Sequence, residues 1–220
     1  MRHLFWFFLL LIGSVVVISY ISSSSVVEPA KNPDPNHAHA DFAVWINGKK
    51  LDFSAQKYMT TDAEEAKLKP GDVRLYLHLH DGDGHVIHRH KPELTFGNFL
   101  ETIGLKSALV CPTRLNNSFP STSNTCQQCL NVPDYPFSAE PLCGWRMFVN
   151  GKERPLNLSY VFADGDHLLL TNANDAAEVQ KQLSQMTDDA CLYSRTCPER
   201  GKPPTENCIA DPTVPCREVT

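Results

Sequence analysis

The sequence lacks a surplus of basic residues and any long run of like charges. Its 20 lysines and arginines are outnumbered by 25 aspartates and glutamates, so the formal net charge at pH 7 is −5. Nucleic-acid binding depends on clustered positive charge, and this balance gives no support for DNA or RNA as a partner. A disordered acidic or basic tail would need a block of like charges, which the chain also lacks.

Motifs for covalent catalysis are missing as well. The chain contains no Gly-x-Ser-x-Gly elbow and no glycine-rich loop of the kind that cradles phosphate groups. We therefore expect a binding protein in preference to an enzyme. Hydrolysis at an open metal site is a less favoured alternative, because zinc catalysis needs a positioned acid beside three ligands and the sequence does not single one out among Asp41, Asp81 and Asp83.

Cysteine is missing from the first half of the chain. The eight cysteines fall into two sets of four, which are Cys111, Cys126, Cys129 and Cys143, then Cys191, Cys197, Cys208 and Cys216. Even counts in separate regions of an exported chain predict structural disulfides, and the pairing within each set stays open. Cys126 and Cys129 have the spacing of a redox pair, so thiol–disulfide exchange is an alternative function. A zinc ribbon would need a second such pair.

Charged residues are absent from residues 4–21, the longest apolar run in the chain. A membrane-spanning helix needs roughly 20 apolar residues, whereas the core of a cleavable signal is usually roughly 7 to 15. We therefore expect residues 1–27 to anchor the chain in the cell membrane, with Arg2 inside and everything after Val27 outside the cytoplasm. Cleavage near the serine run 22–25, followed by secretion, is the alternative.

The remainder of the chain divides into a tether, a domain and a tail. Residues 28–36 are rich in proline and asparagine and predict a tether. The domain spans residues 37–174 and contains a cysteine-bearing insertion at residues 106–142. Residues 175–220 predict an amphipathic helix, followed by a cysteine-rich tail that is too polar to fold without its disulfides.

Within the domain, the sequence pattern predicts several strands and one packed helix. Alternating residues before and after Asn47-Gly48 and Asn150-Gly151 predict two hairpins. The segment "LTFGNFLETIGL" predicts a helix, because Thr95 can cap it, apolar residues recur at helical spacing and Gly104 can end it. The fold class that we expect is α+β, with a mixed sheet and the helix packed against it.

The order of these elements resembles the β-grasp superfold. The hairpin, the helix "TFGNFLETIGL", the strand "GWRMFVNGK" and "YVFADGDHLLLT" are most similar to modules related to the transcobalamin C-terminal domain. The segment "HLHDGDGHVIH" with the helix after it also resembles a group of exported bacterial proteins that have a His-x-His-Asp-x-x-Gly-x-x-His hairpin. The resemblance covers residues 37–172 and implies a β-grasp-like fold. It implies no activity, because one fold hosts many functions.

Histidine is concentrated in one short segment. Five of the nine histidines lie in residues 78–90, "HLHDGDGHVIHRH", and two more lie just before the first predicted strand. Side chains two residues apart on a strand share a face, so three His-x-His pairs present paired imidazoles. Imidazole is a favoured ligand of zinc and copper. The candidate metal ligands are His37, His39, His78, His80, His85, His88 and His90.

The length of the turn within this segment decides which imidazoles meet. With a turn from Asp81 to His85, His78 faces His88 across the hairpin. Four imidazoles then point outward, those of His78, His80, His88 and His90. We prefer this register because the apolar residues then share the core face, namely Leu75, Leu77, Leu79 and Ile87. A turn shorter by one residue leaves an open site of three ligands, His78, His80 and His85.

We therefore expect a membrane-tethered, exported protein that binds or sequesters zinc or copper through this hairpin. The alternatives are a thiol–disulfide oxidoreductase that uses Cys126 and Cys129, and an interaction or adhesion module whose imidazoles only tile a solvent-facing sheet. We do not expect calcium at the aspartate-glycine turn, because a calcium loop needs an acid at its twelfth position and Pro92 stands there. His167 is expected to be structural.

Overall fold

The computed structural model describes residues 37–110, 126–132 and 141–201. The chain divides into two compact units, Met1–Ala30 and Lys31–Thr220, and every described residue belongs to the second. The expected membrane segment and tether lie outside the described residues, as do Cys111, Cys208 and Cys216. Within the described ranges, no helix has the length and apolar character needed to cross a membrane.

The described residues form an α+β fold, as predicted. The strands are β1 (Ala38–Ile46), β2 (Lys49–Lys50), β3 (Leu77–His78), β4 (Val86–Arg89), β5 (Lys106–Val110), β6 (Gln127–Asn131), β7 (Arg146–Val149), β8 (Lys152–Arg154) and β9 (Asp166–Thr171). The α-helices are α1 (Asp62–Glu65), α2 (Phe96–Thr102), α3 (Ala176–Leu183) and α4 (Ala190–Tyr193). Short 3-10 turns occupy Gln56–Tyr58, Val73–Leu75 and Pro198–Arg200.

Seven strands form one mixed sheet around β1. The order is β3-β4-β1-β9-β7-β8, with the short β2 paired to the end of β1. β1 and β9 run parallel at the centre, where Phe42 lies opposite Leu168. β4 runs antiparallel to β1 on its other side, and β7 runs antiparallel to β9. Because β1 has a neighbour on each side and cover on each face, all nine of its residues are buried.

Both predicted Asn-Gly hairpins are confirmed. The backbone of Asn47 and Gly48 has φ of 51° and 77°, and that of Asn150 and Gly151 has φ of 51° and 73°. Two successive positive φ values are what a two-residue type I′ turn requires, and asparagine followed by glycine tolerates them best. The turns therefore close β1 onto β2 and β7 onto β8.

The predicted helix is α2, and it packs on one face of the sheet. Its capping box is complete, because Thr95 Oγ1 accepts from the Asn98 N–H and Asn98 Oδ1 accepts from the Thr95 N–H. The buried aromatic rings of α2 meet those of β1, with the Phe99 and Phe42 ring centroids 4.8 Å apart. We call this side of the sheet the core face.

The first strand of the predicted histidine hairpin is shorter in the structure than the alternation of its leucines suggests. Asp72 accepts a hydrogen bond from the Arg74 N–H and caps a 3-10 turn at Val73–Leu75, so only Leu77–His78 remain as β3. The preferred register is nevertheless confirmed, because His78 lies opposite His88. The three leucines of the pattern, Leu75, Leu77 and Leu79, are all buried.

The other face of the sheet is covered by the residues that follow β9. Helix α3 begins after Asp175, whose side chain accepts from the Glu178 N–H, and it packs Val179 against Trp45. The loop that contains α4 continues over the same face and buries Ala190 and Tyr193 against Val86. The segment predicted as a separate tail therefore begins by folding onto the sheet.

The described disulfides each join two cysteines of one set. Cys129 pairs with Cys143, and Cys191 pairs with Cys197. Cys126 is also disulfide-bonded. Since Cys129 is bonded to Cys143, the redox pair that the spacing of Cys126 and Cys129 suggested does not form.

Candidate metal centre

Six imidazoles lie side by side on the face of the sheet opposite the core face. They belong to three neighbouring strands and the residues adjoining them, and they are His37, His39, His78, His80, His88 and His90. Successive ring centroids are close, at 3.8 Å for His80 and His88 and 4.0 Å for His37 and His90. The three His-x-His pairs therefore form one continuous cluster, which we call the histidine cluster.

Three members of the histidine cluster lie close enough together that they could hold one metal ion. His37, His39 and His88 each offer a ring nitrogen, and these nitrogens lie within 4.8 Å of one another. The three side chains come from the start of β1 and from β4, where His39 and His88 are paired across the strands. Ligands of one tetrahedral zinc, bound at about 2.0–2.1 Å, lie roughly 3.3 Å apart, so modest side-chain rotations would close this triad.

The four ligands predicted from the hairpin lie on the same face but are spread more widely. His80 Nε2 lies 3.1 Å from His88 Nδ1, at hydrogen-bond distance. The ring centroids of His78 and His88, by contrast, are 6.4 Å apart. His37 and His39, at the beginning of the neighbouring strand β1, supply two members of the triad.

The expectation that these imidazoles point to solvent is wrong. Five of the six are buried, namely His37, His39, His78, His88 and His90. The loop around α4 covers part of the cluster, where the ring of Tyr193 lies 4.6 Å from that of His88 and 5.5 Å from that of His39. The cluster is therefore an interior site, and a part of the chain far away in sequence packs over His39 and His88.

Hydrogen bonds at the edge of the cluster orient several rings. His78 Nδ1 lies 2.7 Å from the Arg74 carbonyl oxygen and must donate to it, because a carbonyl can only accept. His80 Nδ1 lies 2.7 Å from a carboxylate oxygen of Asp81, which leaves Nε2 of a neutral His80 as its acceptor. His88 Nδ1 then donates to His80 Nε2, so the lone pair of His88 is on Nε2. Such partners are typical around metal-binding histidines.

Two polar side chains, those of Ser194 and Asp164, lie near the Nδ1 atom of His39. The Ser194 hydroxyl lies 2.8 Å from His39 Nδ1, and the Asp164 carboxylate lies 3.6 Å from the same nitrogen. Burial by itself would raise the pKa of Asp164, but its polar contacts with His39 and Ser194 outweigh burial and hold that pKa below the usual value. A negative charge therefore stands next to the cluster.

His85, which we expected among the ligands, has a different role in the structure. Its Nδ1 is 3.0 Å from an Asp83 oxygen and its Nε2 is 2.9 Å from an Asp189 oxygen. Hydrogen bonds that His85 donates to Asp83 and to Asp189 outweigh burial and raise the pKa of His85 to about 9. A protonated imidazole has no lone pair for a metal. His85 therefore acts as an ion-pair link between the hairpin and the covering loop.

A second group of possible ligands lies beside the cluster, and it consists of Asp41, His167 and Asp188. Both oxygens of Asp41 already accept backbone N–H groups, from Asp189 and Ala190, at 2.9 Å each. His167 Nε2 lies 3.3 Å from Asp188, which also pairs with Arg200 at 3.3 Å. These contacts fasten the covering loop to the sheet, in line with the structural role expected of His167.

Sequence reasoning missed the residues that enclose and orient the histidines. Tyr193 and Ser194 belong to a polar, cysteine-rich stretch, and Ser194 is 155 residues from its partner His39. Asp164 precedes β9 and is 125 residues from His39. The signal in the sequence was the alternation of His39 and Asp41 with apolar residues in β1. Because the fold places this strand at the centre of the sheet, both its polar and its apolar residues are buried.

Comparisons with known proteins do not assign a function to this site. No protein-family model matches the chain. No curated protein matches it, and no solved structure does. The function that we propose therefore rests on the chemistry of the histidine cluster.

Proposed function

We propose that the protein binds one transition-metal ion, zinc or copper, in the histidine cluster, and that its role is binding or sequestration of that ion. The observation that carries the proposal is the buried triad of His37, His39 and His88, whose ring nitrogens lie within 4.8 Å of one another. Three imidazoles this close together can share one transition-metal ion, because imidazole nitrogen is a favoured ligand of zinc and copper.

The donor set indicates the class of ion. All three ligands are imidazole nitrogens, which suit zinc, copper and their neighbours, whereas magnesium and calcium prefer oxygen. The Asp164 carboxylate lies near the triad without belonging to it, and it can offset part of the charge of a buried cation. Zinc and copper are therefore the two ions to test first.

Burial of the ligands favours retention of the ion over catalysis. His37, His39 and His88 are exposed by only 6%, 2% and 0%. A catalytic metal needs a position open to water or substrate. Tyr193 covers His39 and His88 on the outer side of the sheet, so a bound ion would be enclosed by the protein.

The setting of this site is part of the proposal. Residues 1–27 are proposed as an anchor in the cell membrane, with residues 28–36 as the tether that holds the folded domain outside the cytoplasm. The apolar run at residues 4–21 and the structural disulfides of the domain support an exported location. The domain is proposed to be β-grasp-like, and the order β4-β1-β9-β7-β8 with a parallel central pair supports this.

The proposal is tested by loading the full chain, purified in mild detergent and without a histidine tag, with zinc or with copper. We expect one tightly bound ion per chain, measured by metal analysis after dialysis and by calorimetric titration. In His39→Ala and His88→Ala the bound ion should be lost, because each variant removes a ligand of the triad. The matched control is His167→Gln, which removes a neighbouring imidazole outside the triad and should keep the ion.

Two results would overturn the proposal. One is a wild-type chain that retains neither metal, which would favour an interaction module with incidental histidines. The other is stoichiometric binding that persists in His39→Ala and His88→Ala, which would place the ion elsewhere.

Thiol–disulfide exchange at Cys126 and Cys129 has less support as a function. Cys129 is bonded to Cys143, and it is buried. A dithiol catalyst needs its two cysteines to pair with each other and needs one of them to be accessible. An insulin-reduction assay tests this alternative, and we expect no activity above that of a Cys126→Ser variant.

A further inference from the structure

Ser194 and Asp164 surround the Nδ1 side of His39 without contributing an atom to the triad. Ser194 is only 1% exposed, and its Oγ lies 2.8 Å from His39 Nδ1. The Ser194 hydroxyl is also hydrogen-bonded to Asp164 Oδ1, the same oxygen that accepts the His39 backbone N–H at 2.9 Å. One carboxylate oxygen therefore holds both the backbone of His39 and the side chain that contacts its ring.

The direction of these hydrogen bonds follows from what each atom can offer. A serine hydroxyl has one hydrogen and a carboxylate has none, so the hydrogen of Ser194 goes to Asp164. Ser194 Oγ then has only lone pairs left for His39, so His39 Nδ1 must carry a hydrogen and donate it. At 3.6 Å from His39 Nδ1, Asp164 is too distant to accept this hydrogen directly.

We propose that Ser194 and Asp164 are positioning residues that hold His39 in the tautomer with its lone pair on Nε2, and that they thereby set the affinity of the site for its metal. This inference rests on the proposed function and adds two residues to it. In the other tautomer Nε2 carries a hydrogen that points toward the ion. His39 can then bind the ion only after this hydrogen has moved to Nδ1. Removing outer contacts of this kind typically weakens metal binding by about 10–100-fold.

The covering loop is what places Ser194 against His39. The disulfide between Cys191 and Cys197 closes the segment that contains Ser194. The N–H of Ser194 donates to the Ala190 carbonyl at 3.0 Å, and the N–H of Ala190 donates to Asp41 at 2.9 Å. Asp41 lies two residues beyond His39 on β1, so the loop is attached to the same strand and the same face as the ligand that it orients.

The first test needs only the wild-type chain without metal. The full chain is labelled with ¹⁵N-histidine, and the His39 signals are assigned by their loss in His39→Gln. Long-range ¹H–¹⁵N correlation spectra report which ring nitrogen carries the hydrogen. We expect His39 to be protonated at Nδ1. A spectrum that shows His39 protonated at Nε2 would overturn the inference, whatever the metal affinity is.

The second test compares metal affinities of three variants by competition with a chromophoric chelator, using zinc or copper alone as the probe. Ser194→Ala should bind about 10–100-fold more weakly than wild type, because His39 loses its acceptor. Ser194→Thr keeps the hydroxyl, and its affinity for the metal should differ from that of wild type by about threefold at most. The matched control is Ser184→Ala, which loses a hydroxyl bonded to the Lys181 carbonyl on α3 and should bind as wild type does.

The outcomes separate this inference from the proposed function. A wild-type chain that binds no ion overturns both. A wild-type chain that binds, together with Ser194→Ala that binds equally well, overturns only the inference. Ser194→Thr as weak as Ser194→Ala would also overturn it, because the affinity would then not depend on the presence of the hydroxyl.

Discussion

The two faces of strand β1 are equally buried, and their chemistry is opposite. Toward α2 the strand presents apolar side chains such as Phe42, which is 1% exposed. Toward the covering loop it presents His39 and Asp41, which are 2% and 0% exposed. Burial is thus the same on the two sides, and what differs is how the buried groups are satisfied.

The core face and the histidine face differ in how specific the contacts of their buried side chains must be. Apolar groups on the core face need only close packing, because the hydrophobic effect has no direction. Polar groups on the histidine face each need a hydrogen bond or a metal, because a buried polar group without a partner is costly. Asp41 meets this need with two backbone N–H groups, and His39 meets it on one side with Ser194.

The largest effect on stability should come from the core face. Phe42→Ala removes a ring that packs on those of Phe53 and Phe99, and we expect it to lower the free energy of unfolding by about 3–5 kcal/mol. Chemical denaturation of the full chain in detergent measures this loss. Because the contribution is packing alone, the loss should be the same with and without metal, and a loss that depends on metal would contradict the division into two faces.

The histidine face should contribute to stability through the metal. An ion that binds only the folded state at about 100 times its Kd stabilises that state by about 2.7 kcal/mol. Wild type should show this gain when zinc or copper is added, and His88→Ala should not, because it lacks one ligand of the triad. Denaturation with and without the ion measures the gain, with His167→Gln as the control that keeps it. An undiminished gain in His88→Ala would contradict the account.

The two described disulfides test the same difference between the core face and the histidine face without the replacement of a histidine. Replacing Cys191 and Cys197 by serine should cost about 2 kcal/mol of stability, from the greater freedom of the unfolded chain. The same replacement at Cys129 and Cys143 should cost about 3 kcal/mol, because the closed loop is longer. Only the first pair holds the loop over the histidines, so only its loss should weaken metal binding. Equal weakening in both double variants would contradict this.

The smallest effect that we expect is a pH dependence from His85. Its pKa is raised from 6.5 to about 9 in the folded protein, mainly by Asp83 and also by Asp189. A raised pKa means that this ion pair stabilises the fold fully below pH 6.5 and that its contribution is lost as the pH rises toward about 9. The difference in denaturation midpoint between wild type and His85→Gln should therefore shrink over that interval. A difference that stays constant would show that the ion pair does not contribute.

The sequence pattern predicted the core face well and the histidine face only in part. Alternation and turn residues predicted both Asn-Gly hairpins, helix α2 and the opposition of His78 and His88, because these depend on contacts between near neighbours in the chain. The contacts of Ser194 with His39 and Asp164 join distant segments and leave no local pattern. For the same reason the burial of the imidazoles and the separate role of His85 could not be read from spacing.

The central claim is that His37, His39 and His88 bind one metal ion, and X-ray absorption of the metal-loaded full chain tests it most directly. We predict a first shell of nitrogen at about 2.0–2.1 Å, with the outer-ring scattering that identifies imidazole and no sulfur shell at about 2.3 Å. In His39→Ala the ion should be lost, and the absorption of the metal with it. A wild-type spectrum with oxygen ligands alone, or with sulfur ligands, would contradict the account.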